Sequence, residues 1–282
     1  MAAPPVALDK RVVVPATAGI VVSEHRCQEF SMLSETRTIL VAWLAEICRV
    51  EGYEPTVFYT AVWYADEYCI RKRIAVDRYQ LLGIAALFLS VKFHHNPGPL
   101  TVHKCVALTK DTFTRDNVLD MELEILRTLE FRLAVRTVDV VVCEWLRVLI
   151  TMHENFPLDN VAIRCIDLLA FFSQELDVFV YSHPLCLAVS IVYLALVLAV
   201  SDESASSATM DVFRNTSGTG VLDTYFALAS ISEAETTRCF RGMRTFIDQR
   251  GMLTELGEQN VCDPIVLDDV LANRLAAILD EI

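Results

Sequence analysis

Apolar side chains recur every three or four residues along most of this chain, the spacing of a single buried helix face. Leu33, Thr36, Ile39, Leu40, Trp43, Leu44, Ile47 and Cys48 trace the first such face, and Ser34 and Glu35 suit its start. Pro55 suits the first position of a second helix running to about Ile70, because its missing N–H is not needed there. Asp77 suits the cap of a third over residues 78–95, whose middle, LLGIAALFLSV, is apolar nearly all round. That helix should be central and buried. Pro97-Gly98-Pro99 ends it. Thr101 suits the start of a short fourth helix, and Thr114 a fifth reaching about Glu130 with Val118, Met121, Ile125, Leu126 and Leu129 facing inward.

The rhythm then repeats. Helices are expected over about 138–152, 158–175 and 184–200, the last capped by Ser182 or His183. Shorter ones are expected over 203–215 and 220–229. Ser232-Glu233-Ala234-Glu235 reads as a capping box opening a helix to about Arg250, and Asp263-Pro264 starts a terminal one. The two helices that are apolar all round begin near 81 and 185, each with two helices before it. That pattern implies an all-α chain of two domains of similar plan, joined near 133–137. The stretch 185–200 has no charged residue but falls short of the roughly 20 residues of a membrane span, so it reads as a core helix.

Composition narrows the function. Glycine and proline number 9 each in 282 residues, which excludes collagen-like and linker-like chains, and a hydrophobic fraction of 54% excludes disorder. A net charge of −13 opposes a broad nucleic-acid-binding face. The nine cysteines form no CxxC pair and sit mostly among apolar residues, as reduced thiols of an intracellular, nuclear or cytoplasmic protein would. The first thirty residues have no basic-then-apolar signal pattern, so no membrane or secretory route is expected, and Asn215-Thr216-Ser217 is not read as a glycosylation site. No phosphate loop, nucleophile elbow, zinc-protease or kinase motif is present, so neither catalysis nor a cofactor is expected. His94, His95, His103 and Cys105 match no standard metal spacing and read as a solvated helix end.

Four charges stand out because they sit on apolar helices: Arg37, Asp66, Lys92 and Glu122. Charged groups at such positions are either paired or reach back to the surface.

These residues carry a resemblance. The run ETRTILVAWLAEIC resembles the signature helix of the cyclin box, RYQLLGIAALFLSVKF its third helix and MELEILRTLEFRL its fifth. Arg37, Leu40, Asp66, Lys92 and Glu122 stand where the family has its five marker residues, and the motifs are most similar to those of cell-cycle cyclins of A and B type. The resemblance implies two tandem five-helix cyclin folds: an N-terminal arm and short helix over 1–31, the cyclin box over 32–134, a cyclin-like domain over 135–255 and a C-terminal helix over 256–282. It implies a non-catalytic subunit that binds and allosterically activates a cyclin-dependent protein kinase in cell-cycle control.

The resemblance also assigns roles. Arg37 and Asp66 correspond to a buried structural ion pair. Lys92, Glu122, Phe93, Leu126 and Leu133 correspond to the kinase-binding surface. Ile39, Leu40, Trp43, Glu46 and Gln80 correspond to a groove that docks Arg-x-Leu peptides of substrates or inhibitors. The chain departs from the family pattern at Thr36, where methionine is usual, at Val76, where a basic residue is usual, and at His94-His95, where acidic residues are usual. Arg37-Thr38-Ile39-Leu40 fits a destruction-signal pattern but lies within a helix. Two other readings remain open at this point: a transcription-associated cyclin or cyclin-like general transcription factor, and a helical scaffold with no kinase.

Overall fold

The structure is a computed structural model that describes residues 34–95, 98–152, 158–174, 184–201, 234–235 and 237–245. The described residues are helical, without strands. They comprise α1 (Ser34–Glu51), α2 (Pro55–Arg71), α3 (Tyr79–His94), α4 (Val102–Leu108), α5 (Arg115–Thr128), α6 (Val138–Met152), α7 (Leu158–Phe172) and α8 (Pro184–Ser201), with residues 237–245 also helical. The expected arm over 1–31, the helices over 203–215 and 220–229, the terminal helix and the caps Ser182, His183 and Ser232 lie outside the described residues.

The periodic pattern becomes a core through α3. Every residue from Leu81 to Val91 is buried, and α3 packs against α1, α2, α4 and α5. A helix enclosed in this way must be apolar on all sides. Gly83 is small for a local reason: a Cβ there would lie 2.5 Å from Leu40 Cδ1, so its absence lets α1 seat against α3. α8 plays the same part in the second half, packed against α6 and α7 and buried at almost every described position. Its lipid-like composition is thus explained by neighbouring helices, and no helix among the described residues is long and apolar enough to cross a membrane.

Helix ends follow the local chemistry. Pro55 opens α2 from an extended Glu54. The Thr101 side chain accepts from Lys104 N–H, and Thr114 and Asn117 form a reciprocal capping box on α5. Asp77 differs from its expected role. It lies inside a 3-10 turn, Val76–Arg78, that leads directly into α3, and Arg78 takes the cap position without a side-chain bond. The N–H groups of Arg78 and Tyr79 are bonded to Ala75 O and Val76 O, so the turn satisfies the first donor of α3.

Three helices end in the same motif. The N–H groups of Tyr53, Asp111 and Phe131 reach back to the carbonyls of Cys48, Val106 and Leu126, the bonds that close α1, α4 and α5. Such a closure needs a residue with positive φ. Gly52 (φ 70°) supplies it after α1 at no steric cost, whereas Lys110 (52°) and Glu130 (53°) adopt it with side chains, each followed by a second such residue, Asp111 (56°) and Phe131 (60°). α7 also ends earlier than its pattern suggests, at Phe172 rather than near 175. The next two carbonyls, of Ser173 and Gln174, are taken by donors from α1.

Candidate functional site

Arg37 is almost fully enclosed, and its guanidinium is satisfied from two directions. Nε and Nη2 donate to the two carboxylate oxygens of Asp66 on α2, each at 2.8 Å, and Nη1 donates to Ser173 O at 2.8 Å. Thr38 Oγ1, one residue on, donates to Gln174 O at 3.2 Å. The planar fork suits this task, because it matches a carboxylate in parallel while leaving donors for a third partner. Its third bond satisfies a carbonyl left open at the end of α7, where the helix dipole also favours a cation. Arg37 therefore joins α1, α2 and α7, and Thr56 Oγ1 adds a tie from α2 to Asp139 on α6 at 2.8 Å.

Lys92 at the end of α3 pairs with Glu122 on α5, and its ammonium stands 4.7 Å from the Phe88 ring centroid. The two carry different exposure: the Lys92 side chain is 45% accessible and that of Glu122 only 8%. The carboxylate is anchored inside while the cation reaches the surface. Phe93 beside it is 45% exposed, whereas Leu126 and Leu133 are half-buried against the core. Leu133 is held through its carbonyl, which accepts from Tyr64 Oη at 3.0 Å.

Sequence reasoning did not select Phe131, which follows the end of α5 and is 64% accessible. Its N–H is bonded to Leu126 O, so its backbone is fixed beside the half-buried leucine while its ring remains outside. A phenylalanine next to a helix end gives no periodic signal, because the positive φ that turns it outward breaks the helical spacing.

The opposite edge of α3 borders a groove of about 900 Å³ lined by Thr36, Ile39, Leu40, Trp43, Val76, Tyr79, Gln80, Thr109, Lys110 and Thr112. Leu40 is buried as its floor and Ile39 is 50% exposed on its wall. Four of the five residues assigned to this patch, Ile39, Leu40, Trp43 and Gln80, meet there. Glu46 does not. It is not among the lining residues, and its carboxylate is engaged by Arg49 through two 2.7 Å bonds, which hold it below the usual carboxylate range.

His94 and His95 are placed differently from one another. The His94 ring nitrogen Nε2 is 3.0 Å from Thr60 Oγ1, and burial, followed by the neighbouring His95, lowers its pKa. Among the described residues no group of three or more His, Cys, Asp and Glu side chains gathers into a metal site.

Residues 20–134 match the family model of the cyclin N-terminal domain. Over that stretch the chain is similar to the cyclins. Over 181 residues it is 28% identical to the rice (Oryza sativa subsp. japonica) protein Cyclin-A1-4, a match covering 63% of this chain and 49% of that protein. Over 166 residues it is 31% identical to Arabidopsis thaliana Cyclin-A1-1, covering 57% of this chain and 35% of the relative. The match thus spans half or less of the length of these curated relatives. The fold is similar to that of a viral cyclin from herpesvirus saimiri, with a TM-score of 0.53 at 17% identity, covering 75% of this chain and 87% of that one. Helices α1 to α5 lie within the matched stretch and carry both the Lys92–Glu122 pair and the groove.

Proposed function

We propose that this chain is the regulatory subunit of a cyclin-dependent protein kinase and has no catalytic residues of its own. The observation that carries the reading is the Lys92–Glu122 pair, half open to solvent, with exposed rings at Phe93, next to Lys92 in the chain, and at Phe131, just past the end of the helix that carries Glu122. Glu122 has acceptor capacity and Lys92 donor capacity beyond their mutual bond, which suits main-chain groups of a partner helix, and the rings supply apolar contact. Activation would be a population shift. Binding energy realised only with the kinase's regulatory helix held inward favours the arrangement in which the catalytic Lys–Glu pair is complete. The helices from α6 onward read best as a second cyclin-like domain, held to the box by Arg37 and Thr56.

The groove beside Trp43 is a second, separable surface for docking peptide segments of substrates or inhibitors. Its supporting observation is a half-open wall at Ile39 over a buried floor at Leu40.

The test is co-purification of the tagged full chain with a panel of cyclin-dependent kinases, followed by a histone-kinase assay. Binding with stimulated activity is the expected result. A folded chain that neither binds nor stimulates any of them would leave the helical-scaffold reading in its place.

A further inference from the structure

The groove is apolar along Ile39, Leu40, Trp43 and Val76, with hydroxyl and amide groups at Thr36, Gln80, Thr109 and Thr112. Among its lining residues Lys110 alone carries a formal charge. That cation makes no ion pair among the described residues, and the closure of α4 fixes its backbone at φ 52°. The carboxylate expected to receive a basic peptide residue, Glu46, lies outside the lining and is bonded to Arg49 in an exposed pair. Asp77 and Asp111 adjoin lining residues in sequence but are not themselves part of the lining. A guanidinium entering this groove would meet a cation and no carboxylate among the lining residues, and such a repulsive element discriminates between partners.

We infer that the groove selects peptide segments of partner proteins that pair apolar anchors with an Asp or Glu directed at Lys110, in place of the arginine of Arg-x-Leu peptides. The inference rests on the docking reading and adds its charge preference. The apolar anchors fill the space over Leu40 and beside Trp43, and the carboxylate accepts from Lys110 Nζ. Long-range repulsion from a net charge of −13 acts against such a peptide, so the preference has to be local.

The test uses two fluorescein-labelled peptides with one shared leucine-rich core, flanked by glutamates in one and arginines in the other. Their binding to the full chain is followed by fluorescence polarisation at about 0.15 M salt, where the Debye length is about 8 Å. The acidic peptide should bind about threefold to fivefold more tightly, the scale of one solvent-exposed ion pair, and Lys110→Glu should invert the order. Equal binding, or tighter binding of the arginine peptide, overturns the inference while leaving docking intact, provided Trp43→Ala or Ile39→Ala weakens both. Ile39 is half exposed, so its variant reports even where Trp43→Ala fails to fold. If neither peptide binds, or neither groove variant has an effect, the docking reading itself fails. Binding of a glutamate peptide with alanines in place of the apolar anchors as tightly as the full one also overturns the inference.

Discussion

Arg37 grips Asp66 through two parallel bonds of 2.8 Å in a site from which water is almost excluded. Nη1 of the same guanidinium donates to a carbonyl at the end of α7. The pair thus sets the relation of three helices at once. Removing either partner leaves the other charge buried, which costs about 3–5 kcal/mol.

The first prediction follows from that pair. Arg37→Ala and Asp66→Ala should each lower the denaturation midpoint strongly, and the double variant should lose less than the sum of the two. Urea titrations of the three variants measure this. Additive losses would show that the two residues are energetically independent.

At the surface proposed to meet the kinase, replacing both Lys92 and Glu122 by alanine should weaken kinase binding by about 2–5 kcal/mol, chiefly through faster dissociation. Phe131→Ala should weaken binding too, while changing stability by no more than about 0.5 kcal/mol because its ring is exposed. Surface plasmon resonance with an inactive kinase separates the two effects. Unchanged dissociation in both variants would remove this face from the interface.

A third prediction concerns pH. Burial and the neighbouring His95 depress His94, against an opposing pull from Asp139 and Glu54. With its folded pKa below the unfolded value near 6.5, His94 binds a proton more readily in the unfolded chain. Its contribution is therefore complete above about 6.5 and is lost as the pH falls from there towards the folded value. Solvent access keeps the effect small. His94→Gln should flatten the stability profile between about pH 8 and about pH 5, as thermal melts would record, and an unchanged slope would assign it to other groups.

Thiol reactivity gives a fourth. Burial pushes the thiols of Cys48, Cys105 and Cys165 up to about 12, and none of the three is open to solvent. Cys143 is exposed on α6. Maleimide labelling of the native protein at about pH 8, mapped by mass spectrometry, should reach Cys143 well before the other three. Early modification of Cys105 would mean that the α3–α5 core opens readily.

A fifth concerns the strained ends of α4 and α5. Glu130→Gly removes the Cβ clash of a positive φ, about 1 kcal/mol, and this is partly offset by greater freedom of the unfolded chain. It should be neutral to slightly stabilising, whereas Glu130→Val should destabilise. Calorimetry decides the sign, and equal melting temperatures for both variants would show that the strain is absent.

Much of the box was legible from sequence for a simple physical reason. Helix-period apolar spacing marks α1 to α8, because each helix must bury one face, and the all-round apolar runs mark α3 and α8, because those two are enclosed. Thr101 and Thr114 act through bonds to residues within a turn of themselves, and Pro55 through its own fixed φ, so the end signals they give are read locally. Lys110 and Glu130 are different: residues with side chains were driven into positive φ by the closure of a helix, and no glycine announced it. Asp77 had the chemistry of a cap and lost that role because it lies inside the 3-10 turn that leads into α3. Arg37, Asp66, Lys92 and Glu122 were conspicuous as charges on apolar helices, yet their partners are residues from 29 to 136 positions away. Which of these charges meets which, that Arg37 also closes the end of α7, and that Lys110 lines the groove are matters of approach between helices. Periodicity fixes which side of a helix is buried, but the contacts across that side depend on packing angles and helix ends, which only the folded chain determines.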